Sequence, residues 1–210
     1  DAFEKTKTNP RWTKDRDHLR TTLVLERLTG LPAPERNIAG VPLVRNGNQR
    51  EPLARHHYEC LTGHVVRECG FVSDNELPIG CSPDGYIGDF EGLVSIKCPP
   101  PANHLYALQK MREWRDLQKT VDGIAATAIM KSHVEVIPEE YRYQIRHEMY
   151  VTGASWLDYL SYDPNFPEQL RAVIVRVVRA DFDFDNYEGL VREFLAEVDA
   201  EHELILGLAA

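Results

Sequence analysis

The most informative segment of the sequence is Gly80-Cys81-Ser82-Pro83-Asp84-Gly85-Tyr86, followed shortly by Leu93-Val94-Ser95-Ile96-Lys97-Cys98-Pro99. It predicts two neighbouring strands joined by a glycine-rich turn. Because strand side chains alternate between two faces, position 95 and Lys97 share a face. An acid at the end of one strand, with an acid and a lysine at alternate positions of the next, can hold Mg²⁺ and a water molecule beside a phosphodiester. Ser95 stands where this pattern requires the second acid.

The rest of the sequence predicts an α/β fold, in which helices flank a central mixed sheet. β-branched residues and turn signals predict three antiparallel strands and a later pair of strands. Apolar residues at helical spacing predict the helices, one of which starts at Glu51 after the turn Asn46-Gly47-Asn48. The predicted strands are 64–72, 77–87, 93–98, 154–162 and 171–179, and the predicted helices are 14–28, 51–61, 104–120, 139–151 and 184–206.

Length and composition favour one domain. The chain has 210 residues and is 43% hydrophobic, enough for a substantial core and short for two ordinary domains. We expect a helical lead over about residues 1–45 and a catalytic core over about 46–210. We find no run of about 18 apolar residues and no basic-then-apolar leader, and so expect a soluble, cytoplasmic protein without membrane contact.

The net charge of −9 argues against general binding to polyanions, since lysine and arginine supply most non-specific affinity for nucleic acids. Local charge is more informative. Basic residues cluster at Arg11–Arg20 and at Lys110–Lys119, and these clusters could line a DNA path on an acidic body. The alternative is that they are two solvated helix faces of mixed charge.

Five short motifs occur in order along the chain: Gly47–Glu51, Cys81–Gly85, Gly92–Pro99, Tyr143–His147 with Val151–Gly153, and Tyr162–Pro164. Together they resemble the phage lambda exonuclease and YqaJ-type viral recombinase family, over about residues 40–205. That family belongs to the PD-(D/E)xK nucleases, so the resemblance implies a restriction-endonuclease-like core. Ser-Pro-Asp-Gly alone would be an ordinary turn, and the combination carries the specificity.

The resemblance also implies an activity and partners. A member of this family is expected to be a Mg²⁺-dependent 5′-to-3′ exonuclease, with Mn²⁺ as an alternative ion, acting on double-stranded DNA ends. It would leave 3′ single-stranded overhangs for phage-type homologous recombination. A homotrimeric ring and a partner single-strand annealing protein are further expectations, in the cytoplasm of a bacterium or a phage-infected host.

The resemblance implies a metal shell at four positions. Asp84 matches the metal-bridging aspartate, and Glu51 matches a helix carboxylate that completes the shell. The backbone carbonyl of Ile96 would be another ligand. Ser95 falls at the position of the catalytic acid, where its neutral hydroxyl cannot replace a carboxylate.

Three further residues receive roles from the resemblance. Lys97 matches the lysine that orients or activates the attacking water, Gln144 a polar residue near the nucleophile, and Ser82 a residue close to the terminal phosphate. Each assignment has a plainer alternative. Asp84 could be only a turn residue, Glu51 a helix N-terminal acid, and Gln144 a surface amide.

Ser95 leaves more than one function open. Our first hypothesis is an exonuclease inactivated or weakened by a natural or engineered change at this position. Glu91 has the same strand parity, but it lies roughly 13 Å away along the strand and is a poor replacement. The second hypothesis is a non-hydrolytic module that binds DNA ends or a recombination partner. A restriction-type endonuclease shares the acid-and-lysine pattern but not the other motifs.

Overall fold

The computed structural model describes residues 13–33, 42–120 and 133–209. In this part of the chain, the helices are α1 (Lys14–Thr29), α2 (Pro42–Thr62), α3 (Pro101–Thr120), α4 (Glu139–Thr152) and α5 (Phe184–Leu206). The strands are β1 (Val72–Ser73), β2 (Gly80–Cys81), β3 (Gly85–Ile87), β4 (Gly92–Lys97), β5 (Trp156–Tyr162) and β6 (Ala172–Val178). None of the described helices is long and apolar enough to cross a membrane.

The main sheet has four strands in the order β3-β4-β5-β6. β4 pairs antiparallel with β3 and parallel with β5, and β5 pairs antiparallel with β6. The sheet is therefore mixed, as the sequence predicts. β4 is hydrogen-bonded on both sides, which fixes the strand that carries Ser95 and Lys97.

The helix ends follow local sequence signals. Thr13 precedes α1 and its hydroxyl accepts a hydrogen bond from the backbone N–H of Arg16 at 3.3 Å. Gly30 and Gly153 end α1 and α4 with φ of 65° and 72°, in the left-handed region that favours glycine. At α5, Asp183 accepts from the N–H of Asn186 at 3.0 Å.

Three sequence-based predictions of local structure are wrong. Residues 64–71 form no strand and contribute only a bridge from Arg67 to Tyr86. The predicted strand 77–87 is divided into β2 and β3, and Pro83, which has no N–H for a ladder hydrogen bond, lies between them. The helix containing Glu51 starts at Pro42, so Glu51 lies inside the helix and not at its start. Proline suits the first helical position, and Gly47 costs only about 1 kcal/mol within a helix.

The chain divides into two compact units, residues 38–182 and the described parts of 1–37 and 183–210. In the smaller unit, α1 and α5 pack through Val24, Phe194 and Val198. Arg16 is fully buried there and makes a two-pronged ion pair with Glu197. Arg16 is therefore not available to bind DNA phosphate, although the sequence places it in a basic cluster. Arg11 of that cluster lies outside the described residues.

The core of the larger unit lies between the sheet and α2. Val94, Ile96 and Leu160 project from one sheet face and pack against Ala54 and Tyr58 of α2. The alternate strand positions, including 95 and 97, point to the other face. There Tyr141 of α4 packs against Tyr159 of β5, with ring centroids 5.9 Å apart. The two sheet faces are thus covered by different helices.

Asp158 ties α2 to the far strands of the sheet. It is 1% exposed, accepts a hydrogen bond from the Tyr58 hydroxyl at 2.6 Å, and accepts two from Arg176 at 2.8 Å each. We expect Asp158→Asn to lower the free energy of unfolding by about 2 kcal/mol, because an amide cannot satisfy the same three donors. Urea unfolding measures this. Glu188→Gln, at an exposed ion pair, is the control, and an Asp158→Asn midpoint equal to the control's would contradict the prediction.

Candidate active site

Asp84 and Lys97 meet at the end of the β3–β4 hairpin. Gly85 pairs with Val94, so continuing the register by one residue places Asp84 opposite Ser95. Asp84 Oδ2 accepts a hydrogen bond from the backbone N–H of Ile96 at 2.7 Å and one from Lys97 Nζ at 3.3 Å. The hairpin therefore sets both the position and the orientation of the aspartate.

Lys97 is held in a largely dry position. Its side chain is 16% exposed, and its ammonium lies 5.5 Å from the centroid of the Tyr141 ring. An ammonium with this burial requires a negative partner, which Asp84 supplies, and the aromatic face adds a favourable electrostatic contact. The strand and α4 together fix the charge of Lys97 beside the aspartate.

Glu51 approaches the same pair from α2. Its Oε1 accepts a hydrogen bond from Arg55 at 2.7 Å, and the same guanidinium nitrogen donates to the backbone carbonyl of Asp84 at 3.3 Å. Burial raises the pKa of Glu51, and the negative charge of Asp84 raises it further, whereas Arg55 and Lys97 lower it. The shared contact with Arg55 places Glu51 in the surroundings of Asp84.

Ser95 is completely buried in the middle of β4. Its exposed fraction is 0%, and its hydroxyl Oγ has no hydrogen-bond partner in the described residues. Buried hydroxyls normally have a partner, and an unsatisfied one costs about 1–3 kcal/mol. The position therefore contains a polar atom that the surrounding protein does not satisfy.

Glu148 on α4 is a site residue that the sequence analysis missed. Its side chain is 2% exposed, and burial raises its pKa to about 7. Lys97 lowers this pKa and Asp84 raises it, so the carboxyl group interacts with both hairpin residues. A signal was present in the sequence, because Glu148 lies in the buried stripe of α4 between Ile145 and Met149.

The remaining predicted residues differ in their placement. Gln144 is exposed, but its amide donates to Glu148 Oε1 at 2.7 Å, so it contacts the site through that residue. Ser82 is exposed two residues before Asp84. Ile96 contributes its backbone N–H to Asp84, while its side chain belongs to the core on the α2 side.

Two contacts position α4 within the larger unit. The ring nitrogen Nε2 of His147 lies 2.9 Å from the backbone carbonyl of Gly80, to which it donates. In the last turn, Arg179 Nη1 donates to the carbonyl of Met149 at 2.8 Å, satisfying one of the free carbonyls of that turn. The first bond links the helix that carries Glu148 to the segment that leads into Asp84, and the second links it to the end of β6.

The site chemistry suits a hard divalent cation. Asp84 contacts Lys97, and the charges of these two residues act on the pKa of Glu51 and on that of Glu148. Carboxylate oxygen is the donor that Mg²⁺ and Mn²⁺ favour. The unsatisfied buried oxygens of Ser95 and Glu148 fit the same preference. Within residues 13–33, 42–120 and 133–209, no three His, Cys, Asp or Glu side chains already converge on one metal position.

Comparisons with known proteins identify the family of the chain and its fold. A family model described as the YqaJ-like viral recombinase domain matches residues 13–155. An alkaline exonuclease from Laribacter hongkongensis, also solved in complex with dAMP, is 29% identical with a TM-score of 0.72, covering 94% of this chain and 86% of that one. A phage-related exonuclease from Haemophilus somnus 129PT, 14% identical with a TM-score of 0.60 over 99% and 91% of the chains, shows a shared fold. No curated protein matches the chain. The similarity to the alkaline exonuclease structure confirms the predicted α/β fold with a PD-(D/E)xK-type core.

Proposed function

The chain belongs to the YqaJ-like viral recombinase family, and we propose that it is a Mg²⁺-dependent 5′-to-3′ exonuclease acting on double-stranded DNA ends. The observation that carries the proposal is the Asp84 carboxylate, oriented by the Ile96 N–H and Lys97 beside two further acids. The neighbour from Laribacter hongkongensis supports it, because that enzyme is an alkaline exonuclease that binds dAMP.

In this proposal the carboxylates hold the cation and the lysine acts on the water. Asp84 uses Oδ2 for its two hydrogen bonds, which leaves Oδ1 for a ligand, and Glu51 adds a second carboxylate from α2. Mg²⁺, when bound, supplies a water of lowered pKa and stabilises charge on the phosphate. Lys97 orients the attacking water and places a positive charge beside the scissile phosphate.

The substrate and assembly are part of the proposal. The exposed Arg112 and Arg115 of α3 are suited to contact the DNA backbone, and exposed Ser82 would lie near the terminal phosphate. Digestion of one strand would leave a 3′ overhang, which a single-strand annealing protein would receive. We propose a homotrimer as the working assembly, and light scattering of the purified protein measures it. Ser95 contributes no charge, so we propose that it weakens cleavage relative to a glutamate at this position.

Digestion of linear duplex DNA, 5′-phosphorylated on one strand, tests the activity. With Mg²⁺ we expect the phosphorylated strand to shorten from its 5′ end while a covalently closed circle stays intact. Cutting of the circle would identify an endonuclease instead. DNA that is bound but never shortened would favour the non-hydrolytic binding module.

A further inference from the structure

Glu148 is a buried acid whose hydrogen bonding is incomplete. Oε1 accepts from Gln144, but Oε2 is fully buried without a hydrogen-bond partner among the described residues. A buried carboxylate kept for stability is normally satisfied at both oxygens, because an unpaired charge in the interior is costly. The buried, unsatisfied oxygen of Glu148 therefore costs folding free energy, and a role in packing alone does not explain why an acid is present.

Ser95, on the strand that faces α4, also has a buried oxygen without a hydrogen-bond partner in the described residues. Its side chain lies on the sheet face covered by α4, and its Oγ is buried and unsatisfied. The serine side chain is uncharged. At this position β4 therefore brings no carboxylate to the face, although Asp84 lies opposite Ser95 across the hairpin and Lys97 lies two residues further along the strand. Glu148 interacts electrostatically with both of those residues, and thus brings a carboxylate to the place from which the strand lacks one.

We propose, on the basis of the function proposed above, that Glu148 supplies from α4 the carboxylate that Ser95 does not supply from β4, and binds the divalent cation together with Asp84. A carboxylate can reach this site from the helix as well as from the strand, because α4 packs on the face that carries positions 95 and 97. The chain is then a weakened enzyme and not an inactive one. Gln144 acts as a positioning residue, since its amide holds one oxygen of Glu148 and leaves the other for the ligand.

The competing explanation is purely structural, with Glu148 serving only to hold Gln144 and the end of α4. The two explanations differ in what a neutral substitute does. Glutamine has the same shape and still accepts from Gln144, but it removes the buried charge. If Glu148 is a ligand, glutamine should weaken cation binding while the metal-free fold stays at least as stable, because the desolvation cost of a buried ionisable group has been removed.

The test is isothermal titration calorimetry of Mn²⁺ binding to the full chain without DNA. The variants are Glu148→Gln, the control Glu140→Gln at an exposed position of the same helix, and the double variant Ser95→Glu/Glu148→Gln. We expect Glu148→Gln to weaken Mn²⁺ binding roughly tenfold or more, and the control to leave it within about twofold. The double variant should restore the affinity, because the acid is returned from the strand side.

Thermal unfolding without metal checks that each variant folds. Unchanged Mn²⁺ affinity in folded Glu148→Gln would overturn the inference. If that variant does not fold, the double variant decides, since failure of Ser95→Glu/Glu148→Gln to bind Mn²⁺ would also overturn it. The same proteins are assayed for duplex digestion. Mn²⁺ affinity that depends on Glu148, without cleavage by any variant, would retain the ligand role and refute the exonuclease.

Discussion

Asp84→Asn should slow duplex digestion by about 10³-fold or more, which corresponds to about 4 kcal/mol of transition-state stabilisation. Asparagine has nearly the same shape and can still accept from the Ile96 N–H. It lacks the charge that pairs with Lys97 and that a divalent cation requires. Initial rates with 5′-phosphorylated linear DNA, compared at saturating Mg²⁺, measure the effect.

A matched control lies on the same hairpin. Asp89 is exposed in the turn between β3 and β4, so Asp89→Asn makes the same chemical change away from Lys97. We expect the control to keep its rate within about twofold, because isolated surface substitutions have small effects. Equal rates for Asp84→Asn and the control would remove Asp84 from the site and, with it, the proposed mechanism.

Lys97→Met should slow the chemical step by about 10²–10⁴-fold, because methionine can neither orient the attacking water nor place a positive charge beside the phosphate. Methionine fills similar space against Tyr141 but carries no charge and no proton. We expect kcat to fall more than KM rises, because the effect is on the reacting water and not on DNA binding. Lys97→Arg should recover only part of the rate, since arginine retains the charge but its planar guanidinium cannot take the position of the ammonium beside the water.

The control for the lysine is Lys110→Met on α3. Lys110 pairs with Glu113 at 2.8 Å on the surface, where an ion pair contributes little to stability. Its loss should leave kcat unchanged. A Lys97→Met enzyme with normal kcat and raised KM would instead show that Lys97 only binds the DNA backbone.

The hairpin and most of the outer elements could be predicted from local sequence. Alternation along a strand fixes the shared face of positions 95 and 97, and this depends on neighbouring residues alone. The last helix is found at Phe184–Leu206, the predicted bounds, because its apolar stripe repeats at helical spacing. β5 and β6 were also predicted, since β-branched residues dominate β6 and turn signals flank both strands.

The predictions that failed concern features that depend on contacts between residues distant in sequence. Glu51 was placed at a helix start because Gly47 resembled a turn, yet the helix begins at Pro42. Glu148 was missed because nothing near it in sequence shows that α4 covers the face of Ser95. Its burial and its coupling to Lys97 appear only when helix and sheet are packed together.

β6 is an edge strand of the main sheet, and six of its seven residues are alanine, valine or isoleucine. In an unfolded chain, a short β-branched segment of this kind promotes intermolecular pairing and aggregation. Arg176 is the only charge in the strand, and in the folded protein the same guanidinium binds Asp158 and stacks 3.7 Å from the Trp156 ring centroid. One side chain therefore stabilises the native sheet and interrupts the apolar segment in the unfolded chain, so we expect its replacement to reduce both folding yield and stability.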